Sequence, residues 1–387
     1  MKIACLAASR VPSNTANSIQ MMKACHALVQ AGQQVQLWVP GSNSTSWQDL
    51  ADHYGLSEPF DIHWLASPRL LKRYDFTWRA MQQARKWGAD LVYTWMVQAA
   101  VLAQTDRLPV ILEVHDRPTG RLGKHLFQQM IQSHGKKRFL FITEALHRYL
   151  EQEYQVTFEQ AEIQIAPNGT DPDIYSNLPE PDEARKQLGL PAKLTAGYTG
   201  HFYSGRGTDI LLGLARCFTQ VNFLWVGGRP QDIETWRDRL SQEGLKNITL
   251  TGYIEKSRLP LYQAAADILL MPYERLIAGS SGGNSADICS PMKMFDYLAA
   301  GRIIVSSDLP VIREVLNENN AIFASPEDLP AWQEALTGIL ADPPKYRRLA
   351  VQARKDAVQY SWRSRAARAI EGFTSKTNLP FENDKIS

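Results

Sequence analysis

The sequence predicts an α/β protein made of two Rossmann-like, doubly wound domains facing a central cleft. Three observations carry this reading. Short, apolar, β-branched runs alternate with helical periodicities along most of the chain, the pattern of parallel sheets covered on both faces. A polar, proline-rich connector at 168–182, with Pro172, Pro179, Pro181 and an Asn-Gly turn at its start, interrupts the alternation before it begins again. A length of 387 residues is also more than one hydrophobic core usually serves.

In order, 2–8 reads as a buried strand. The segment 18–31 reads as an amphipathic helix with Ile19, Met22, Leu28 and Val29 on its apolar face and Gly32 closing it. Strands follow at 35–39, 62–65, 91–94, 110–115, 139–143 and 163–166, with helices between most of them. Beyond the connector, strands are expected at 195–199, 223–226, 248–251, 268–271 and 303–305. Helices are expected at 208–217, 232–243, 257–266, from 291 to Gly301, and at 344–360 and 361–373. The domains are placed at 1–170, with 361–387 returning to it, and at 183–360.

A 44% hydrophobic and 21% charged composition is that of an ordinary globular protein, and a net charge of +2 argues against a nucleic-acid partner. Cys5, Cys25, Cys217 and Cys289 are far apart, so neither a metal knuckle nor a disulfide framework is expected, and reduced thiols suit the cytoplasm. No apolar run reaches the roughly 18 residues of a membrane span. The basic aromatic stretch Arg69–Tyr74, with Trp78, Arg79, Arg85, Lys86 and Trp87, and the cluster Lys136-Lys137-Arg138, read either as solvated faces or as contacts with an anionic membrane at its inner surface. Oligomeric state is not encoded in any pattern we can read.

Four stretches carry the candidate chemistry. From 281 to 290 a Gly/Ser/Asn loop leads to Ser290-Pro291, read as an N-cap and first helical residue. Met292 and Lys293 follow, then Asp296 among apolar neighbours, near a helix start whose free N–H groups favour phosphate. Asp296 is placed to take sugar hydroxyls or, alternatively, to pair with Lys293. Gly200-His201-Phe202-Tyr203-Ser204-Gly205-Arg206-Gly207 follows a strand at the sheet edge where ligands bind in open α/β folds, so its amides and Arg206 are candidates for phosphate. Thr251-Gly252-Tyr253 ends a strand near the same edge, where its backbone could pair with a base; Glu274 is a lesser candidate. In the first domain Glu113-Val114-His115-Asp116 closes a strand, with His115 either projecting into the cleft or serving as a structural hydrogen bonder. The long loop 9–18 offers Arg10, Asn14 and Asn17 to phosphate or acceptor, with Ser18 as a helix cap.

Pro-x-Lys-x-Phe-Asp-Tyr-x-Ala-Ala-Gly at 291–301 resembles the nucleotide-sugar helix of the retaining glycosyltransferases of family 4, which have the GT-B fold. The Gly200 loop resembles that family's Gly-x-x-x-x-Lys-Gly, with Arg206 in place of lysine; 113–116 resembles its Glu-x-His-Asp; and Ala16–Gln20 is similar to an Ala-x-Ser-x-Gln subgroup. The resemblance implies retaining, metal-independent transfer of a sugar from a nucleoside diphosphate sugar to a hydroxyl acceptor, without a cofactor. It further implies His115 beside the reacting sugar, Arg206 on the diphosphate, Asp296 on the ribose, and a final helix crossing back to the first domain. The chain departs from the family's Glu-x7-Glu: Ile288 stands at the first glutamate and Asp296 at the second. Asp287 or the loop amides would then hold the donor sugar. A sugar-nucleotide epimerase and a non-catalytic nucleotide-sugar-binding protein are the alternatives.

Overall fold

The computed structural model describes residues 1–42, 45–68, 73–277 and 284–373. Seven strands form the first sheet: β1 (Lys2–Leu6), β2 (Gln34–Pro40), β3 (Asp61–Leu65), β4 (Leu91–Thr94), β5 (Val110–Val114), β6 (Lys137–Phe141) and β7 (Ile163–Ile165). They lie in the order β3-β2-β1-β4-β5-β6-β7, all parallel. Six strands form the second: β8 (Thr195–Thr199), β9 (Asn222–Val226), β10 (Ile248–Gly252), β11 (Ile268–Met271), β12 (Ile303–Ser307) and β13 (Ile322–Ala324). Their order, β10-β9-β8-β11-β12-β13, repeats that of the first sheet. In both, strand order reverses beside the first strand, which opens a crevice at the carboxyl ends.

Helices cover both faces. On one face of the first sheet the helix Ala16–Gln30 packs with the terminal helix Trp362–Ile370, whose Trp362, Ala366, Ala369 and Ile370 enter the same core as Ile3, Cys5 and Leu37. The crossing-back helix is therefore part of the first core, and burying Trp362 alone is worth roughly 1.5–3 kcal/mol. Lys136 and Arg138 serve this docking: the Lys136 ammonium donates to the Gly372 carbonyl at 2.5 Å, and Arg138 donates to the carbonyls of Arg368, Ala369 and Glu371. Lys137 is buried and donates to Ile131. That cluster is thus a helix C-terminal clamp, satisfying carbonyls left open by the helix, and not a free basic surface.

The two crossings between the halves are laced together. The Thr170 amide donates to Tyr360 at 3.1 Å and the Trp362 amide donates to Thr170 at 3.0 Å. Gly169 permits this approach, since a Cβ there would lie 2.6 Å from the Tyr360 carbonyl oxygen. The proline-rich connector is less extended than its composition suggests, because Pro181 opens a helix, Pro181–Leu188. The strand Ile322–Ala324 and the helix Leu329–Ala341 carried no expectation. Three residues are too short for an alternation signal, and the helix is apolar on several sides.

Among the described residues no helix is long and apolar enough to cross a membrane. Tyr74 and Trp78 are exposed, whereas Arg79 and Arg85 pair with Asp75 and Asp106. Arg69–Lys72, the loop residues 281–283 and the tail 374–387 lie outside the described residues.

Candidate active site

The second-domain half of the cleft is built around two cations. Arg206 and Lys293 form no ion pair with a carboxylate among the described residues; tyrosines surround them instead. The Arg206 guanidinium lies 4.8 Å from the Tyr203 ring and 4.9 Å from the Tyr273 ring, and donates to the Tyr203 hydroxyl at 2.5 Å. The Lys293 ammonium sits 3.9 Å from the Tyr198 ring and 5.3 Å from that of Tyr273. Burial, and secondarily the charge of Arg206, hold the Lys293 ammonium well below the usual lysine range. Burial also lowers the His201 imidazole, helped by Arg206 and Lys293. Two adjacent, poorly solvated basic groups with no counter-ion among the described residues are costly to keep charged, which is why the lysine is lowered. The missing partner has the charge of an anion.

Glycines make the room. A Cβ on Gly200 would lie 2.6 Å from the Lys293 nitrogen, and one on Gly207, at φ 70°, would lie 1.7 Å from the Pro272 carbonyl oxygen. The amides expected to cradle phosphate are used otherwise: those of Gly205 and Gly207 donate to the Glu274 carboxylate at 3.2 and 3.1 Å. Glu274 therefore fastens the loop, and the Arg206 side chain is the cationic group that the loop presents.

The helix following the loop begins at Met292, with Pro291 as its N-cap and no side-chain cap. Ser290 does not cap it as expected. Its hydroxyl instead accepts from the Asn168 amide at 3.1 Å and so ties helix to linker. Met292 packs against the first-domain core. Asp296 is buried and does not pair with Lys293: its Oδ1 accepts from the Thr170 hydroxyl at 3.0 Å and its Oδ2 from Lys256 at 3.1 Å. Its carboxylate thus joins the linker to the loop after β10.

Ile288 has left the donor site. At 2% exposure it belongs to the first-domain core beside Val114, Phe141 and Leu146, and its carbonyl accepts from Thr143 at 3.1 Å. Asp287 is exposed. The expectation that loop amides hold the sugar also fails for three of them: the Ile288 and Cys289 amides donate to the Ser285 carbonyl, and that of Ala286 to the Asn284 side chain. A plug into the opposite domain replaces a ligand-binding turn.

Across the cleft, His115 follows β5. Its Nε2 lies 2.6 Å from Glu113 Oε2, and Glu113 is buried with four further donors from Gln20, Tyr93 and Arg365. Arg10 and Asn14 are exposed on the first loop, whereas Asn17, also exposed, lies in the first turn of the helix Ala16–Gln30. The Ser18 hydroxyl donates to the Arg10 carbonyl at 2.9 Å and contacts the Tyr54 hydroxyl at 2.7 Å, so Ser18 anchors that loop; the cap position is Thr15. The Tyr253 hydroxyl donates to Asn14 at 3.3 Å, and Arg117 donates to the Asn284 carbonyl at 3.2 Å, bringing the two carboxyl edges face to face. The Gly252 carbonyl is already used by the Gly227 amide and the Thr251 hydroxyl, and Tyr253 is the exposed side chain of that turn.

Glu113, Arg365, Lys256 and the tyrosine cage were not singled out by sequence. Tyr203 and Tyr273 follow the ends of β8 and β11, a usable signal, and Tyr198 lies on β8 itself. Arg365 had none, being one arginine of three in a basic helix.

Two Rossmann-type units thus meet at their carboxyl edges, with a pair of basic side chains caged by tyrosines on the second. A family described as "Glycosyltransferase Family 4" matches residues 19–174, and "Glycosyl transferases group 1" matches 193–342. The chain belongs to the family 4 glycosyltransferases. It is 25% identical over 228 residues to the D-inositol 3-phosphate glycosyltransferase of Xylanimonas cellulosilytica, covering 56% of this chain and 52% of that protein. It is 23% identical over 240 residues to the enzyme of that name from Corynebacterium urealyticum, covering 58% and 53%. These alignments span about half the length of the relatives. In fold it is similar to HepE of Anabaena in complex with UDP (TM-score 0.72, 16% identity, 96% of this chain and 99% of that one). It is equally similar to sucrose-phosphate synthase of Thermosynechococcus elongatus (0.72, 17%, 95% and 96%).

Proposed function

We propose that this protein transfers a sugar, with retention, from a nucleoside diphosphate sugar to a hydroxyl acceptor. The observation that carries the reading is the pair Arg206 and Lys293, two half-buried basic side chains with no carboxylate partner among the described residues, at the carboxyl edge of the second sheet. A departing diphosphate supplies the missing charge, and fixed cations in a poorly solvated site stabilise it as it develops. This needs neither a metal ion nor a cofactor. The ribose falls to Asp296, the sugar lies toward His115, and the acceptor enters along the loop bearing Arg10, Asn14 and Asn17. HepE is described with UDP and with UDP-glucose, which makes a uridine diphosphate sugar the first donor to try. The reaction is placed in the cytoplasm, on a soluble or membrane-borne acceptor.

The test incubates pure protein with uridine, guanosine and adenosine diphosphate sugars and a panel of hydroxyl acceptors, following diphosphate release and the anomeric configuration of the product. Release with a retained anomer is expected. An inverted product overturns retention, an isomerised donor makes the protein an epimerase, and thermal stabilisation without turnover makes it a binding protein.

A further inference from the structure

Glu113 is the most heavily hydrogen-bonded carboxylate in the described structure, and only one of its partners reaches the cleft. Its Oε1 accepts from Arg365 at 2.7 Å and from the Tyr93 hydroxyl; its Oε2 accepts from Gln20 at 2.8 Å, from Arg365 at 3.0 Å and from His115 at 2.6 Å. Gln20 is itself held by the Trp95 indole at 2.8 Å. Arg365 is 2% exposed and spends its remaining N–H groups on the Tyr93 hydroxyl and on the carbonyls of Ala166 and Pro167, directly before the interdomain crossing. A buried ion pair is a poor source of stability compared with apolar packing of equal volume. The terminal helix already has apolar anchors in Trp362, Ala366, Ala369 and Ile370. What the pair does that packing could not is fix a charge behind one imidazole nitrogen.

We infer that Arg365 of the terminal helix is a positioning residue for His115, acting through Glu113. The bidentate guanidinium keeps Glu113 ionised and in one orientation. An ionised carboxylate only accepts, so the His115 nitrogen facing it, Nε2, carries the proton. Nδ1 is then left as a bare acceptor, and it has no partner among the described residues. The ring thus presents an acceptor to a hydroxyl of the bound sugar. Without Arg365, Glu113 takes up a proton, donates to Nε2, and turns Nδ1 into a donor. The crossing-back helix thereby belongs to the first-domain half of the site, although none of its residues reaches the cleft.

This rests on the reading that His115 works beside the reacting sugar, so the test has one arm that reads the imidazole without any reaction. In protein labelled with nitrogen-15 histidine at neutral pH, wild type is expected to show a protonated Nε2 and a bare Nδ1. Arg365→Met shifts the ring toward the opposite tautomer and lowers kcat about 10²-fold, the scale of a misplaced group, with the KM for the donor little changed. Arg365→Lys restores part of both. Arg363→Met, exposed on the same helix, changes neither. Should Arg365→Met fail to fold, the double variant Glu113→Gln/Arg365→Met leaves no lone buried charge and is expected to fold, with kcat still low and the tautomer no longer fixed. A wild-type tautomer and kcat in either folded variant overturns the proposal. A wild type inert toward every donor overturns the transferase reading instead, and the tautomer measurement still decides the role of Arg365.

Discussion

The two halves of the cleft handle buried charge in opposite ways. Around Glu113 in the first domain, every charge is matched: burial would raise the carboxyl, but Arg365 and His115 hold it below the usual carboxylate range. Around Arg206 and Lys293 in the second, two cations share a cage of neutral phenols. A closed network is complete within the chain and serves to orient; an open one is completed only by something that binds. The difference separates the half that positions from the half that receives an anion.

The largest expected effect breaks the closed network. Glu113→Ala strands the Arg365 cation in the core and should cost about 3–5 kcal/mol, read from urea unfolding. A loss near zero would mean that the pair is solvated in solution. The open network should respond the other way. Arg206→Ala is expected to cut kcat/KM for the donor by roughly 10²–10³-fold while leaving the melting temperature unchanged or raised, since a buried cation without a partner is removed. Unchanged donor affinity would defeat the phosphate assignment.

A third prediction sharpens the contrast through protons. In the free protein Lys293 titrates below its ordinary value of 10.5, so between the two values the unfolded chain binds more protons and stability rises with pH. A bound diphosphate favours the charged amine, so binding should take up a proton. Calorimetry of UDP binding in two buffers of different ionisation enthalpy measures the uptake, and an undiminished uptake in Lys293→Met would exclude this lysine as its source. The smallest effect concerns how the halves are held together. The Glu314 carboxylate accepts from the Glu144 and Ala145 amides at 2.7 and 2.8 Å, capping a first-domain helix, Glu144–Tyr154, from the second domain. Glu314→Ala should cost about 1 kcal/mol and expand the particle in small-angle scattering; compact scattering would mean that the Ile288 plug suffices alone.

Much of the fold could be read because its signals are local. The strands Leu91–Thr94, Thr195–Thr199 and Ile268–Met271 match their expected bounds to the residue; Ile268–Met271 does so because a strand buried on both faces is one apolar run. The loop–strand–helix positions of Arg206, Lys293 and His115 were legible for the same reason. Fates set by distant residues were not. Ser290 and Ser18 had the composition of helix caps, yet each fastens a loop or linker, because partners 122 residues and 36 residues away compete successfully for its hydroxyl. The alternative reading of Asp296 paired it with Lys293 three residues back, and Lys256, 40 residues away, takes that place.

By itself, then, the sequence determined two Rossmann-type units, the edges at which their ligands would lie, and a donor-side helix bearing Lys293 and Asp296. Only the tertiary structure decided which charges are paired. It carried Ile288 into the opposite core, gave Glu113 an arginine 252 residues away, and left Arg206 and Lys293 without a carboxylate among the described residues. The physical reason is that a charge's worth depends on burial and on its partners in space, and neither is a property of local sequence.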